Sequence, residues 1–438
     1  MGLTAAGHML PPAPTPPVPP TATAPPARAT DANLLAKADV QLLLAGFSPA
    51  QLLQTPCRVR FGDRWLDVSS SIDIELQHYL EEQVDRRTSR YVAVVVLEAR
   101  TGRVLALMGY NKEAPERNPC LFNNFPAASL FKIVTAAGAV EKCGFSGDSP
   151  LSFNGARHTL YKSQLQNTQN RYTRHTTLAE SFAQSVNPVF GRIGSQCLGR
   201  EGLAHYAEAF GFNQVLPFEI RVPASHTTLS DDPYQWAEIA SGFNQQTVIS
   251  PVHAALLAAV APADGLLVEP TVIDHVTDPS GRELYRAPIA RGKRAVTQAT
   301  ARSLGRMMQK TVTRGTARKA FRGYEKDPIL TRLRIGGKTG SIDNREHDAR
   351  YDWFVGFADG PQPDDAIAVA ALVAHENYIG RRAAEYARLA MRAYFKPRLE
   401  SEQTLGDSRR SSSSPRGVLR AASMEDPQGA RARKIAVR

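Results

Sequence analysis

The sequence has no apolar run of the roughly 18 residues that a membrane span needs. Its nearest approach, Val252 to Ala261, reads as a core helix. The first ten residues show no positive stretch followed by an apolar one, so no export signal is legible there. Cysteine is scarce: Cys57, Cys120, Cys143 and Cys197 are the only four in 438 residues. Their spacing fits neither a metal site nor a CxxC redox motif, which excludes zinc ribbons and thioredoxin-like chemistry. The four are read as buried or half-buried thiols, with Cys120 and Cys143 the pair considered for a disulfide. There is no zinc-finger spacing and no basic helix interleaved with aromatics, so the net charge of +11 is not read as nucleic-acid binding. It fits anionic surroundings in general.

Hydrophobic residues make up 42 % of the chain, enough for a large core. Residues 1–30 include a proline-, alanine- and threonine-rich stretch that cannot pack and reads as a disordered linker. Residues 399–438, around SRRSSSSPR, read as a disordered basic tail. Between them, 31–87 is a small lead-in. Asp31 is placed to cap a first short helix and Asp73 a second, near Ile74 to Arg86. Residues 88–398 form the main domain. It opens with YVAVVVLEA and RVLALMG around the turn Thr101-Gly102, a strand hairpin. A helical middle follows, to about Met308. Three late strands, LRIGGKTGS, YDWFVGFAD and AIAVAALVAH, precede a closing helix, GRRAAEYARLAMRAYF. Strands from both chain ends imply one sheet, with the helical middle as a second lobe and a cleft between them.

Three short motifs fall on this frame. In Ser129-Leu130-Phe131-Lys132, a serine in the first turn of a helix has a lysine one turn on, on the same face. A serine hydroxyl needs an adjacent base to become a nucleophile, and a lysine can be that base if its pKa falls. Ser185-Val186-Asn187-Pro188 lies on a tight helix-to-helix loop, with Asn187 suited to N-cap and Pro188 to the first helical position. Lys338-Thr339-Gly340-Ser341, after Gly336-Gly337, lies on the first late strand. As an edge strand it could pair with a peptide while Lys338 and Thr339 meet a carboxylate. Singly, each has a plain structural reading: a capping serine with a surface lysine, a capped helix, a glycine bulge with an exposed lysine. Together and in this order they form the motif set of serine β-lactamases and penicillin-binding proteins.

The chain resembles the transpeptidase domain of penicillin-binding proteins over about 88 to 396, on these motifs and on VAVVVLEARTGRVLALMG, FPAASLFKIVTAAGAVE, GFNQQTVISPVHAALLAAVA, TVTRGTARKA and DWFVGFA. The resemblance implies an α/β (α+β) fold: a five-stranded, mainly antiparallel sheet flanked by helices, plus a mainly helical lobe. It implies D,D-transpeptidation on peptidoglycan stem peptides. Ser129 is acylated, Lys132 activates it and Ser185 relays protons. Asn187 holds the substrate amide, Lys338 supports Ser185 and the substrate carboxylate, and Thr339 binds that carboxylate. The N–H groups of Ser129 and Ser341 form the oxyanion hole beside Gly340. No metal or cofactor is implied. The implied partners are stem peptides and lipid-linked precursors, β-lactams as covalent inhibitors, and a separate glycan polymerase.

The implied location is the cell envelope, on the periplasmic side of the cytoplasmic membrane. Neither a glycosyltransferase domain nor a large pedestal module is found upstream. The expectation is a missing N-terminal anchor with the proline-rich stretch as its spacer. The rival readings are a D,D-carboxypeptidase or serine β-lactamase with the same nucleophile, and a non-catalytic β-lactam sensor or scaffold.

Overall fold

The run SRYVAVVVLE is apolar at nearly every position because both faces of its strand are covered. The computed structural model describes residues 34–45, 51–52, 56–289, 292–344, 349–362 and 364–412. Its main sheet has five strands: β1 (Ser89–Glu98), β2 (Val104–Asn111), β3 (Arg334–Asn344), β4 (Ala349–Asp359) and β5 (Ala366–His375). Their order is β3-β4-β5-β1-β2, every neighbour antiparallel, with the two chain ends meeting where β5 pairs with β1. Side-chain alternation splits β1 between two cores. Ala93, Val95 and Leu97 face the helical lobe, while Val92, Val94 and Val96 join Tyr386, Met391 and Phe395 of the closing helix.

The helices that matter to the cleft are α1 (Lys132–Glu141), α2 (Leu178–Ala183), α3 (Asn187–Arg192), α4 (Pro233–Ser241), α5 (Pro251–Ala259), α6 (Gln298–Thr313) and α7 (Ala383–Ser412). α5 is wholly buried, as the apolar run predicts, and packs on the sheet between the two lobes. The helix expected near Ile74 runs Ile74–Glu82, and Asp73 caps it by accepting from the Leu76 N–H at 3.0 Å. The first short helix is Lys37–Leu43; Asp31 and the proline-rich stretch lie outside the described residues.

Three expectations need correction. The lead-in shares a sheet with the main domain: Cys57–Phe61 and Arg64–Ser70 join Ile273–Thr277 and Glu283–Arg286 in a four-stranded sheet. The tail expected to be disordered from 399 begins as helix, since α7 runs to Ser412 across Pro397. Leu399 is buried there and its carbonyl accepts from Arg332, contacts that serine-rich composition hides. Of the four cysteines read as thiols, Cys57 and Cys120 are free, but Cys143 pairs with Cys197, rather than with the Cys120 considered for it, at a Cα–Cα separation of 6.3 Å. Cys120 is instead a buried thiol behind β1 and β2, donating to the Met108 carbonyl.

The disulfide ties the loop after α1 to the helical turn after α3, closing 54 residues. Replacing both cysteines by serine should lower unfolding free energy by about 2–4 kcal/mol, read by urea titration. Alkylation of the unfolded, unreduced chain should modify two thiols, Cys57 and Cys120; four modified thiols would refute the pairing.

Candidate active site

The serine of the first motif lies in a single 3₁₀ turn, Ala128–Phe131, that runs directly into α1 at Lys132. In a 3₁₀ turn, residues three apart eclipse. Lys132 Nζ accordingly sits 2.9 Å from Ser129 Oγ. Ala128, just before Ser129, has φ 48° and Ser185 has φ 56°, both in the left-handed region that non-glycine residues avoid. The strain at Ser185 turns its hydroxyl onto Ser129 Oγ at 3.0 Å. Gly242, at the end of α4, lies against the same turn: a Cβ there would come within 1.8 Å of the Ala128 carbonyl oxygen.

The three motifs converge. Ser185 Oγ lies between Ser129 Oγ and Lys338 Nζ, the latter also at 3.0 Å. Lys132 donates to Asn187 Oδ1 at 2.8 Å and to the Ser241 carbonyl, and Lys338 to the Thr339 carbonyl at 2.8 Å. Asn187 does not cap α3: Val186 occupies that position, and Asn187 and Pro188 are its first two residues. Its amide is committed elsewhere, accepting from Lys132 and donating to the His158 carbonyl at 2.9 Å. The strand with the third motif is the sheet edge, as expected. Gly340 stands opposite Trp353 and close to Ala128, so β3 lies beside the Ser129 turn. Thr339 is half-buried and shares a 2.5 Å hydrogen bond with Thr316; Ser341 is exposed to the cleft. Gly337 has no room for a side chain because the Phe354 ring fills that space.

Both lysines are fully buried, and among the described residues neither has a carboxylate as a hydrogen-bond partner. Burial holds Lys132 well below its ordinary pKa, and the neighbouring Lys338 charge adds to this. Burial brings Lys338 down to about 7. The rings of Phe190 and Phe182 lie 5.6 and 5.7 Å from the two ammonium groups. The arrangement therefore favours the neutral amine of Lys132 against a serine hydroxyl, with a second buried lysine behind Ser185. The cleft of about 800 Å³ over Ser129 is lined also by His158, Phe243, Thr316, Asp352 and Arg382. Sequence reading did not assign these five. Thr316 and Asp352 sit inside TVTRGTARKA and DWFVGFA, segments that carried the resemblance without assigned roles.

A lysine base acts only after losing its proton, so a lowered pKa moves the rising limb of acylation to lower pH. With Lys132 as the base, the rising limb of Ser129 acylation should lie well below the 10.5 of an ordinary lysine, and the rate should fall on acidification. Stopped-flow acylation between pH 5 and 10 checks this. A limb centred above 9 would contradict it. Ser185→Ala should slow acylation by about 10²–10⁴-fold. Gly242→Ala, which displaces the Ser129 turn, should slow it by about 10²-fold.

Residues 92–392 match the family described as penicillin binding protein transpeptidase domain. Penicillin-binding protein PbpB of Mycolicibacterium smegmatis is 27 % identical over 337 residues, 69 % of this chain and 50 % of its own length. Peptidoglycan D,D-transpeptidase PbpA of Mycobacterium tuberculosis is 25 % identical over 63 % of this chain and 61 % of its own length. The chain thus spans between half and three fifths of these relatives. Among solved structures, the D,D-transpeptidase domain of a peptidoglycan glycosyltransferase from Eggerthella lenta superposes with a TM-score of 0.63 at 22 % identity, covering 76 % of this chain and 84 % of that one. PBPA of M. tuberculosis gives 0.60 at 21 %, covering 74 % and 81 %, and its penicillin G acyl-enzyme gives 0.58, also at 21 %, covering 76 % and 80 %. With its five-stranded sheet, its cleft and a match over more than half its length, the chain belongs to the penicillin-binding protein transpeptidase domain family.

Proposed function

We propose that the protein is a peptidoglycan D,D-transpeptidase that cross-links stem peptides through a Ser129 acyl-enzyme. The observation that carries this reading is the unbroken chain Lys132–Ser129–Ser185–Lys338, every link within 3.0 Å and both ends buried. Neutral Lys132 takes the Ser129 proton as Oγ attacks the carbonyl of the penultimate D-alanine. Negative charge on the carbonyl oxygen falls to the N–H groups of Ser129 and Ser341 beside Gly340. Asn187 orients the substrate amide, and Thr339 receives the terminal carboxylate with Lys338 behind it. Ser185, backed by Lys338, hands a proton to the departing D-alanine amine. The amine of a second stem peptide then takes the acyl group by the reverse path.

Among the described residues, the hydrogen-bond partners of the Ser129 and Lys132 side chains, besides each other, are Ser185, Asn187 and the Ser241 carbonyl. The Cys143–Cys197 disulfide supports an oxidising compartment, in keeping with the periplasmic side of the cytoplasmic membrane. Among the described residues, no helix is long and apolar enough to cross a membrane. Anchoring, lipid-linked precursors and a separate glycan polymerase partner belong to the same reading.

Incubation with a fluorescent penicillin should add one penicillin mass to the wild type and none to Ser129→Ala, with the adduct lasting for hours. A stem pentapeptide with an acceptor amine should then yield dimer and free D-alanine. Rapid loss of the adduct with accumulating penicilloate would make the protein a β-lactamase. A stable adduct without dimer would favour a sensor.

A further inference from the structure

The transpeptidase reading gives the cleft a direction. With the carbonyl oxygen at Ser341 and the departing carboxylate at Thr339, the acyl portion lies along β3 from Ser341 toward Asn344. Asp343, Arg350, Asp352 and Arg382 line the cleft there, and Lys319 lines it too.

Asp352 stands opposite Ser341 in the β3–β4 ladder and is 4 % exposed. Its Oδ1 accepts from Ser341 Oγ at 3.1 Å and from Arg382 Nη2 at 3.2 Å. Its Oδ2 accepts from the Ala383 N–H, the first of α7, at 2.9 Å and lies 3.0 Å from Arg382 Nε. Burial pushes this carboxyl up, but His375, the Arg382 guanidinium and the Ala383 N–H outweigh burial and hold it below its ordinary value. Two nitrogens of Arg382 are thus fixed in a fork, a geometry that orients the guanidinium plane. The side chain stays 42 % exposed on the cleft, and Nη1 has no hydrogen-bond partner among the described residues. Nearby, Arg350 and Asp343 pair at 3.8 Å. Lys319 has no carboxylate partner among the described residues, so Asp343, Arg350, Asp352, Arg382 and Lys319 together carry one excess positive charge.

We infer that the cleft selects acyl donors bearing a carboxylate on the acyl side of the scissile bond, and that Arg382 is the residue that binds it. The inference rests on the transpeptidase reading and adds a substrate class to it. Asp352 supplies a fixed counter-charge behind Arg382, so the cation costs little to hold at the cleft and still presents a donor to a ligand.

Two probes test this on the full chain: 6-aminopenicillanic acid acylated with adipic acid, which keeps a free distal carboxylate, and with hexanoic acid, a neutral chain of equal length. Second-order acylation rates are read by intact mass. The wild type should favour the adipyl compound by about five- to tenfold. Arg382→Gln should bring the adipyl-to-hexanoyl ratio close to one, the ratio being read apart from any change common to both rates. Arg382→Lys, which keeps charge without the fork, should fall between, and it decides the matter if Arg382→Gln does not fold. Lys319→Gln should lower the ratio less than Arg382→Gln. A wild-type ratio near one, a ratio untouched by both Arg382 variants, or one abolished only by Lys319→Gln would overturn the inference. Failure of both probes to acylate Ser129 would sink the transpeptidase reading, and the inference with it.

Discussion

The rest of the site depends on two buried lysines, neither of which has a carboxylate hydrogen-bond partner among the described residues. A charge so placed is expensive, and a lysine lowers the cost by giving up its proton. Lys132 and Lys338 are driven the same way by burial, and Lys338 presses Lys132 further. Their polar partners are neutral: two serine hydroxyls, an amide oxygen and backbone carbonyls. A carboxylate beside either lysine would favour its charged form; with neutral partners, burial is left to lower both pKa values.

The orientation of these groups is maintained against local cost. Two non-glycine residues, Ala128 and Ser185, adopt the left-handed region on either side of Ser129, each costing on the order of 1–3 kcal/mol. The surroundings over-determine them. Gly242 presses on the Ala128 carbonyl, Trp353 donates to the Pro126 carbonyl at 3.0 Å, and Asn187 is held by the His158 carbonyl. The sheet behind is buried on both faces, so β3 can leave its outer edge open and stay in register along all eleven residues.

Much of this was legible in the sequence because period and motif agree. The β-branched hairpin, the late strands and the three motifs each named their element. What was not legible depended on approach between distant segments. Cys143 and Cys197 meet because α1 and the turn after α3 are neighbours, which no spacing shows. Asn187 looked like a cap because asparagine before proline usually is one; only the turn forced by Ser185 frees it. Residues 57–70 read as a lead-in because their partner strands lie some 200 residues on. The serine-rich stretch after 399 masked the end of α7, where Leu399 is buried. Asp352 and Arg382 matter through a cross-strand register and a helix start, and neither leaves a local pattern.

The order of strands in the sheet has a consequence for how the protein comes into being. Lys338 reaches Ser185 across 153 residues, on a strand that pairs with nothing made before it. β3 docks through β4 and β5, so the sheet closes only when β5 finds β1. A nascent chain holding both serines and Lys132 is therefore still without its second cation, its cleft wall and its sheet edge. The cleft is completed late, once the strand carrying Lys338 and the two strands that follow it are in place.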